Sequence, residues 1–144
     1  MPRAVIDTSV LFAAVYRRDS AHQDALPILQ GIDDGSLPDA VVLDYVLAET
    51  LNALGTHAGH DAALDLLDRI EENTRFHVDS LSGDALAAGK ALFRRHAPLS
   101  FVDACLVAYA RTADLEYLYA FDDDFDVVND VSRLDTPTDP YGPS

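Results

Sequence analysis

The sequence predicts an α/β domain built on a central parallel sheet of four or five strands flanked by helices. Short apolar runs of strand character alternate with longer runs of helical period along almost the whole chain. The helical runs are long enough to serve as crossovers between parallel strands. The run Ala40–Leu43 is apolar throughout, as a strand covered on both faces must be. A chain of 144 residues makes one such domain and leaves little room for a second.

Taken in order, residues 3–7 (RAVID) read as a buried strand, and VLFAAVYRR as a helix ending near Arg18. Ser20 with Gln23 matches a capping box, opening a helix to about Asp34 that Gly35 stops. Residues 40–43 form the second strand. The helix after Asp44 carries Val46, Leu47, Thr50, Leu51 and Leu54 on one face. The next spans about 60–73, with Ala63, Leu66, Leu67 and Ile70 as its stripe. Residues 75–79 make a third strand, 83–96 a fifth helix ahead of Pro98, and Ser100 starts a sixth over 101–112. Residues 117–121 (YLYAF) are a fourth strand, and a short fifth lies near Val131–Leu134. The domain is expected over residues 1–135, with 136–144 (TPTDPYGPS) as a flexible C-terminal tail. No repeat, linker or low-complexity tract interrupts it.

Charge narrows the function classes. Twenty-five acidic residues face ten basic ones, a net charge of -15; Lys90 is the single lysine, and 21 of the acids are Asp. A dense carboxylate surface of this kind suits a halophilic protein, whose self-repulsion is screened at high salt. The basic patch usual in nucleic-acid binders is missing. No apolar run approaches the ~18 residues of a membrane span. The opening residues lack the regions of a signal peptide, and Cys105 stands alone. A cytoplasmic protein without an internal disulfide is therefore expected.

The acids are placed as a catalytic set would be. In open parallel sheets ligands sit beyond the carboxyl ends of the strands. Asp7 ends the first strand and Asp122 follows the fourth, so both emerge on that edge. Each has a plainer reading, Asp7 as a helix N-cap and Asp122 as a turn residue. Asp103 shares the apolar stripe of its helix with Leu106, Val107 and Ala110, where an unpaired carboxylate is expensive. Its plainer role is in a capping box with Ser100, and the two roles are compatible. Glu49 lies on the flank of an apolar stripe, in a chain that otherwise uses Asp almost everywhere. Carboxylates converging on one edge repel unless a cation neutralises them. An all-oxygen set suits Mg²⁺, with Mn²⁺ as an alternative, and the five scattered His residues suggest no zinc site.

Four segments resemble the motifs of PIN-domain ribonucleases, in family order: DTSVLFAAV, VLAETLNAL, LSFVDACLVAYA and FDDDF. The resemblance implies catalytic carboxylates at Asp7, Glu49, Asp103, Asp122 and Asp124. Of these, Asp7, Glu49, Asp103 and Asp122 would be the metal ligands, and the hydroxyls of Thr8 and Ser9 would support the site and bind substrate. It further implies a VapC-like toxin: a Mg²⁺-dependent endoribonuclease, commonly homodimeric, acting on an RNA substrate and silenced by a cognate antitoxin protein. Many relatives carry more Lys around the site; here Arg17 and Arg18 are the first candidates for phosphate contacts, because their helix begins beside Asp7, with Arg94, Arg95 and Arg111 also available. The alternatives are a housekeeping RNA-processing PIN nuclease, a non-catalytic PIN scaffold and a receiver-like signalling module. The receiver would want acids beside Asp7 and a Lys after Lys90, and both are missing.

Overall fold

The computed structural model describes residues 2–142. Its five strands are β1 (Arg3–Ile6), β2 (Asp39–Leu43), β3 (Phe76–Asp79), β4 (Tyr117–Tyr119) and β5 (Ser132–Leu134). They form one sheet in the order β3-β2-β1-β4-β5, and every neighbouring pair is parallel. Six helices connect them: α1 (Thr8–Val15), α2 (His22–Asp34), α3 (Asp44–His57), α4 (His60–Glu72), α5 (Gly83–Arg95) and α6 (Phe101–Thr112). A 3₁₀ turn covers Asp123–Val127. The α/β architecture read from the alternation is the one found. No helix among the described residues is long and apolar enough to cross a membrane.

The strand order locates the site. β1 is the central strand, with Ala4, Val5 and Ile6 fully buried. The chain first builds outward through β2 and β3, then returns to add β4 and β5 on the other side of β1. Between β1 and β4 the connections therefore leave in opposite directions, which opens a crevice at the carboxyl ends of these two strands. Val5 pairs with Leu118 and Ile6 with Tyr119. The Asp7 amide continues the register by donating to the Tyr119 carbonyl at 2.9 Å.

Residues Asp103 to Ala110 of α6 are all buried. α5 lies against it closely enough that a Cβ on Gly89 would meet Cys105 Sγ at 2.9 Å and Cys105 Cα at 3.1 Å. Glycine is required there by the approach of the two backbones.

Several local expectations shift. α1 ends at Val15, with Tyr16 extended, so Arg17 and Arg18 follow the helix instead of lying in it. The Ser20–Gln23 capping box does not form: α2 begins at His22, and Asp19 accepts from the Ala21 amide at 2.8 Å. An Asx turn at Asp19 leads into the helix, whose N-cap Ala21 has no side-chain cap. Strand β4 stops at Tyr119 because the Phe121 amide turns to Ser9 Oγ, 3.1 Å away. In the stretch expected as a tail, Tyr119 Oη donates to the Thr138 carbonyl at 2.7 Å. Tyr141 Oη donates to the Arg3 carbonyl at 3.0 Å. The last two residues of that stretch lie outside the described residues.

Candidate metal-binding active site

Asp7 caps α1 and faces the crevice at once. Its Oδ2 accepts from the Ser9 amide at 3.2 Å and from Ser9 Oγ at 2.7 Å. Its Oδ1 is buried and has no hydrogen-bond partner among the described residues. The side chain is 4% exposed, and burial, with the Glu49 charge adding to it, raises its pKa against the lowering effect of the Ser9 contacts. A carboxylate oxygen left dry and unpaired is costly. The capping reading holds through Oδ2, which leaves Oδ1 free for a ligand.

Asp103 enters from α6. Ser100 Oγ accepts from the Asp103 amide at 3.1 Å, so the capping box that sequence suggested is half formed through the backbone. That leaves the carboxylate available, 7% exposed. Its pKa is pushed up to about 7, first by burial and then by the charges of Asp7, Asp122 and Glu49, against a lowering contact with Ser100. The charges of Asp7, Asp122 and Glu49 thus all reach Asp103 across the crevice. The four acids come from four separate segments, each leaving the sheet at its carboxyl edge or packed on it.

Glu49 is exposed on α3, and the neighbouring Thr50 is fully buried. Thr50 Oγ1 donates to Thr8 Oγ1 at 3.2 Å, which ties α3 to the first residue of α1. Ser9 Oγ donates to Asp7 and accepts from the Phe121 amide, linking the ends of β1 and β4. The hydroxyls of Thr8 and Ser9 are thus engaged inside the protein and hold the acids in place. Thr50 was read in the sequence as part of an apolar stripe. A hydroxyl in that stripe beside a glutamate was the available signal.

Asp122 caps the 3₁₀ turn, its Oδ1 accepting from the Asp124 amide at 2.9 Å. Carboxylate oxygens of Asp122, Asp123 and Asp124 lie within 4.8 Å of one another. The Asp122 charge, above all, raises the Asp124 pKa. Asp123 was not nominated from sequence, although the run of three aspartates announced it. Asp7, Glu49 and Asp103 stand outside this tight group.

The arginines fall elsewhere. Arg17 and Arg18 lie past the far end of α1, whose eight residues rise about 12 Å from the Asp7 end. Arg17 lines a groove with His22, Asp65 and Arg69. Neither forms an ion pair among the described residues, whereas Arg111 is paired with Asp130 at 2.7 Å.

The donor set fits a hard divalent cation. Its members are all carboxylates, one of them has an orphaned buried oxygen, and two have raised pKa values that a cation would reverse.

The structure of Mycobacterium tuberculosis VapC20, described as a sarcin–ricin loop cleaving toxin, superposes with a TM-score of 0.77 at 28% identity, covering 89% of this chain and 96% of that one. VapBC2 from Rickettsia felis, bound to a DNA fragment from its promoter, gives a TM-score of 0.69 at 12% identity, covering 92% and 97%. FitAcB from Neisseria gonorrhoeae gives 0.64 at 16%, covering 90% and 95%. The last two likenesses are of fold alone. No curated protein sequence shows a significant match. The PIN-domain model matches residues 4–131, a span that runs from β1 to the threshold of β5 and contains every acid described above; the chain belongs to the PIN-domain family.

Proposed function

We propose that the protein is a Mg²⁺-dependent endoribonuclease, with Mn²⁺ as a substitute, and the toxin component of a toxin–antitoxin pair. The observation that carries the catalytic reading is the orphaned Asp7 Oδ1, buried at the switch point among Asp103, Glu49 and Asp122. Asp7 and Asp103 are the principal ligands, with Glu49 and Asp122 completing the set. Asp124 adds negative charge beside Asp122. A divalent cation held there supplies activation of water and compensation of charge on a phosphodiester in the transition state.

The chain's own residues do the rest. Ser9 holds Asp7 Oδ2 from the protein side, and Ser100 caps the start of the helix that carries Asp103, which limits the reorganisation the site needs. Thr8 and Thr50 lock the two helices that carry the site. Arg17 and Arg18 contact phosphates upstream or downstream of the cut. The toxin role is supported by the likeness to VapC20, described as a toxin, and with it go a cognate antitoxin and a homodimer. A cytoplasmic setting and a halophilic one follow from composition.

The test is cleavage of single-stranded RNA by purified protein. Cutting is expected with Mg²⁺ or Mn²⁺, is abolished by a chelator and is not restored by zinc. Asp7→Asn should fold and lose at least about a hundredfold in rate, since the metal site is the source of the chemistry. Undiminished cutting by a folded Asp7→Asn protein, or after exhaustive metal removal, refutes the assignment.

A further inference from the structure

α1 and α3 run side by side in the same direction away from the acids. At the crevice Thr50 is hydrogen-bonded to Thr8. Farther along, the His57 ring meets Phe12 edge-on at 5.8 Å and Tyr16 at 6.2 Å, while Phe12 and Tyr16 are 5.2 Å apart. On α1, Thr8 and Phe12 are four residues apart and share one face, and Tyr16 at the C-cap packs on Phe12; on α3, Glu49, Ala53 and His57 recur every fourth residue. Two lines of side chains therefore lead from the acidic crevice to a cluster of three rings, with only small Ala53 between Glu49 and His57. His57 is exposed, and Phe12 and Tyr16 are half-buried.

Two cations stand at the end of these lines. Arg17 and Arg18 follow directly on Tyr16, both exposed and without an ion pair among the described residues. In a protein of net charge -15, two adjacent uncommitted arginines beside three rings are complementary to an anionic polymer that carries flat bases. Sequence-tolerant binding of single strands uses this combination: aromatic faces for the bases and cations for the backbone.

We infer that the α1–α3 face is a binding track for single-stranded RNA, on which Tyr16 and His57 stack bases and Arg17 and Arg18 hold phosphates. The inference rests on the nuclease reading for its substrate, and it adds the path that the strand takes from the acids. It also explains how an acidic protein without a basic patch engages RNA: base stacking takes over part of what counterion release supplies elsewhere. Phe12 is the packing residue beneath, holding the two outer rings in register.

The experiment measures binding of a fluorescein-labelled short single-stranded oligoribonucleotide to Asp103→Asn protein in Mg²⁺, and in parallel KM and kcat for cleavage by the wild type. Into each background go His57→Ala, Tyr16→Leu (which retains apolar packing) and the pair Arg17→Ser/Arg18→Ser, with folding checked by circular dichroism. A further variant, Lys90→Ser on α5, removes an exposed positive charge from a different helix. Each ring substitution should weaken binding about tenfold and raise KM with kcat nearly unchanged. The Arg17/Arg18 pair should flatten the slope of log affinity against log salt by about 1.4, that of two phosphate contacts on a single strand. The Lys90 variant should do neither. Unchanged affinity in folded ring variants overturns the track, as does an equal loss in the Lys90 variant or a parent protein that does not bind the oligonucleotide. Ring variants that keep RNA affinity but lose a protein partner would assign the face to that partner and overturn it likewise. Binding that depends on the rings, without cleavage by the wild type, would support the track and reject the nuclease reading alone.

Discussion

Asp103 shows how one side chain serves two purposes without conflict. Its backbone amide completes the cap on α6 through Ser100, and its carboxylate is left to the crevice, where burial and three other acids raise its pKa to about 7. That shift has a sign for stability. A carboxylate whose folded pKa lies above its ordinary value of 3.8 destabilises the metal-free fold when charged. The penalty is absent below about pH 4 and complete above about pH 7. Asp103→Asn should therefore stabilise the metal-free protein at pH 8 by roughly 1–4 kcal/mol, and hardly at all at pH 4. Adding Mg²⁺ at pH 8 should raise the melting temperature of the wild type and leave the variant nearly where it was. Thermal melts at the two pH values, with and without metal, check both halves; a variant less stable than the wild type at pH 8 would refute the account.

Among the elements, α5 and α6 are the pair whose contact tolerates least. Gly89 faces Cys105 with no room for a Cβ, so Gly89→Val forces the helices apart. That should cost about 1–3 kcal/mol by overpacking. Gly83, at the first residue of α5, has nothing within 4 Å of the position a Cβ would take. Gly83→Ala should instead stabilise by about 0.4–1 kcal/mol, by restricting the unfolded chain. Urea midpoints for the two variants give the comparison directly, and similar midpoints for both would contradict this packing. Because α6 carries Asp103, Gly89→Val should also lower cleavage, whereas Gly83→Ala should not.

For the whole molecule the charge is decisive. Arg69, Arg75, Arg111 and Arg133 are each within ion-pairing distance of an Asp, so four of the ten cations are spent on the protein itself. The net charge of -15 leaves the surface self-repelling. Stability should rise from low salt to roughly molar salt, where the Debye length falls to about 3 Å. RNA affinity should fall over the same series, but with a shallow slope, since few phosphates are contacted. Thermal melts and binding measured across one salt series test the pair of trends. Greatest stability at low salt with a steep binding slope would refute it.

Sequence alone determined the parallel α/β class, because strand–helix alternation with crossover-length helices admits few other arrangements. It also placed Asp7, Glu49, Asp103 and Asp122 on four separate segments, since each interrupts or edges an apolar pattern. Local signals misled at the start of α2: Ser20 matches a capping box, yet the helix starts uncapped at His22 behind a turn formed by Asp19. The end of α1 at Val15 was likewise decided by the turn that follows, so Arg17 and Arg18 moved out of the helix. Only the tertiary structure could decide the strand order, and with it the crevice between β1 and β4, because pairing between distant strands leaves no local mark. The same holds for the orphaned Asp7 oxygen, the Thr8–Thr50 link and the meeting of His57 with Phe12 and Tyr16. Each depends on which surfaces remain after the core has packed, and burial, unlike periodicity, is a property of the whole fold.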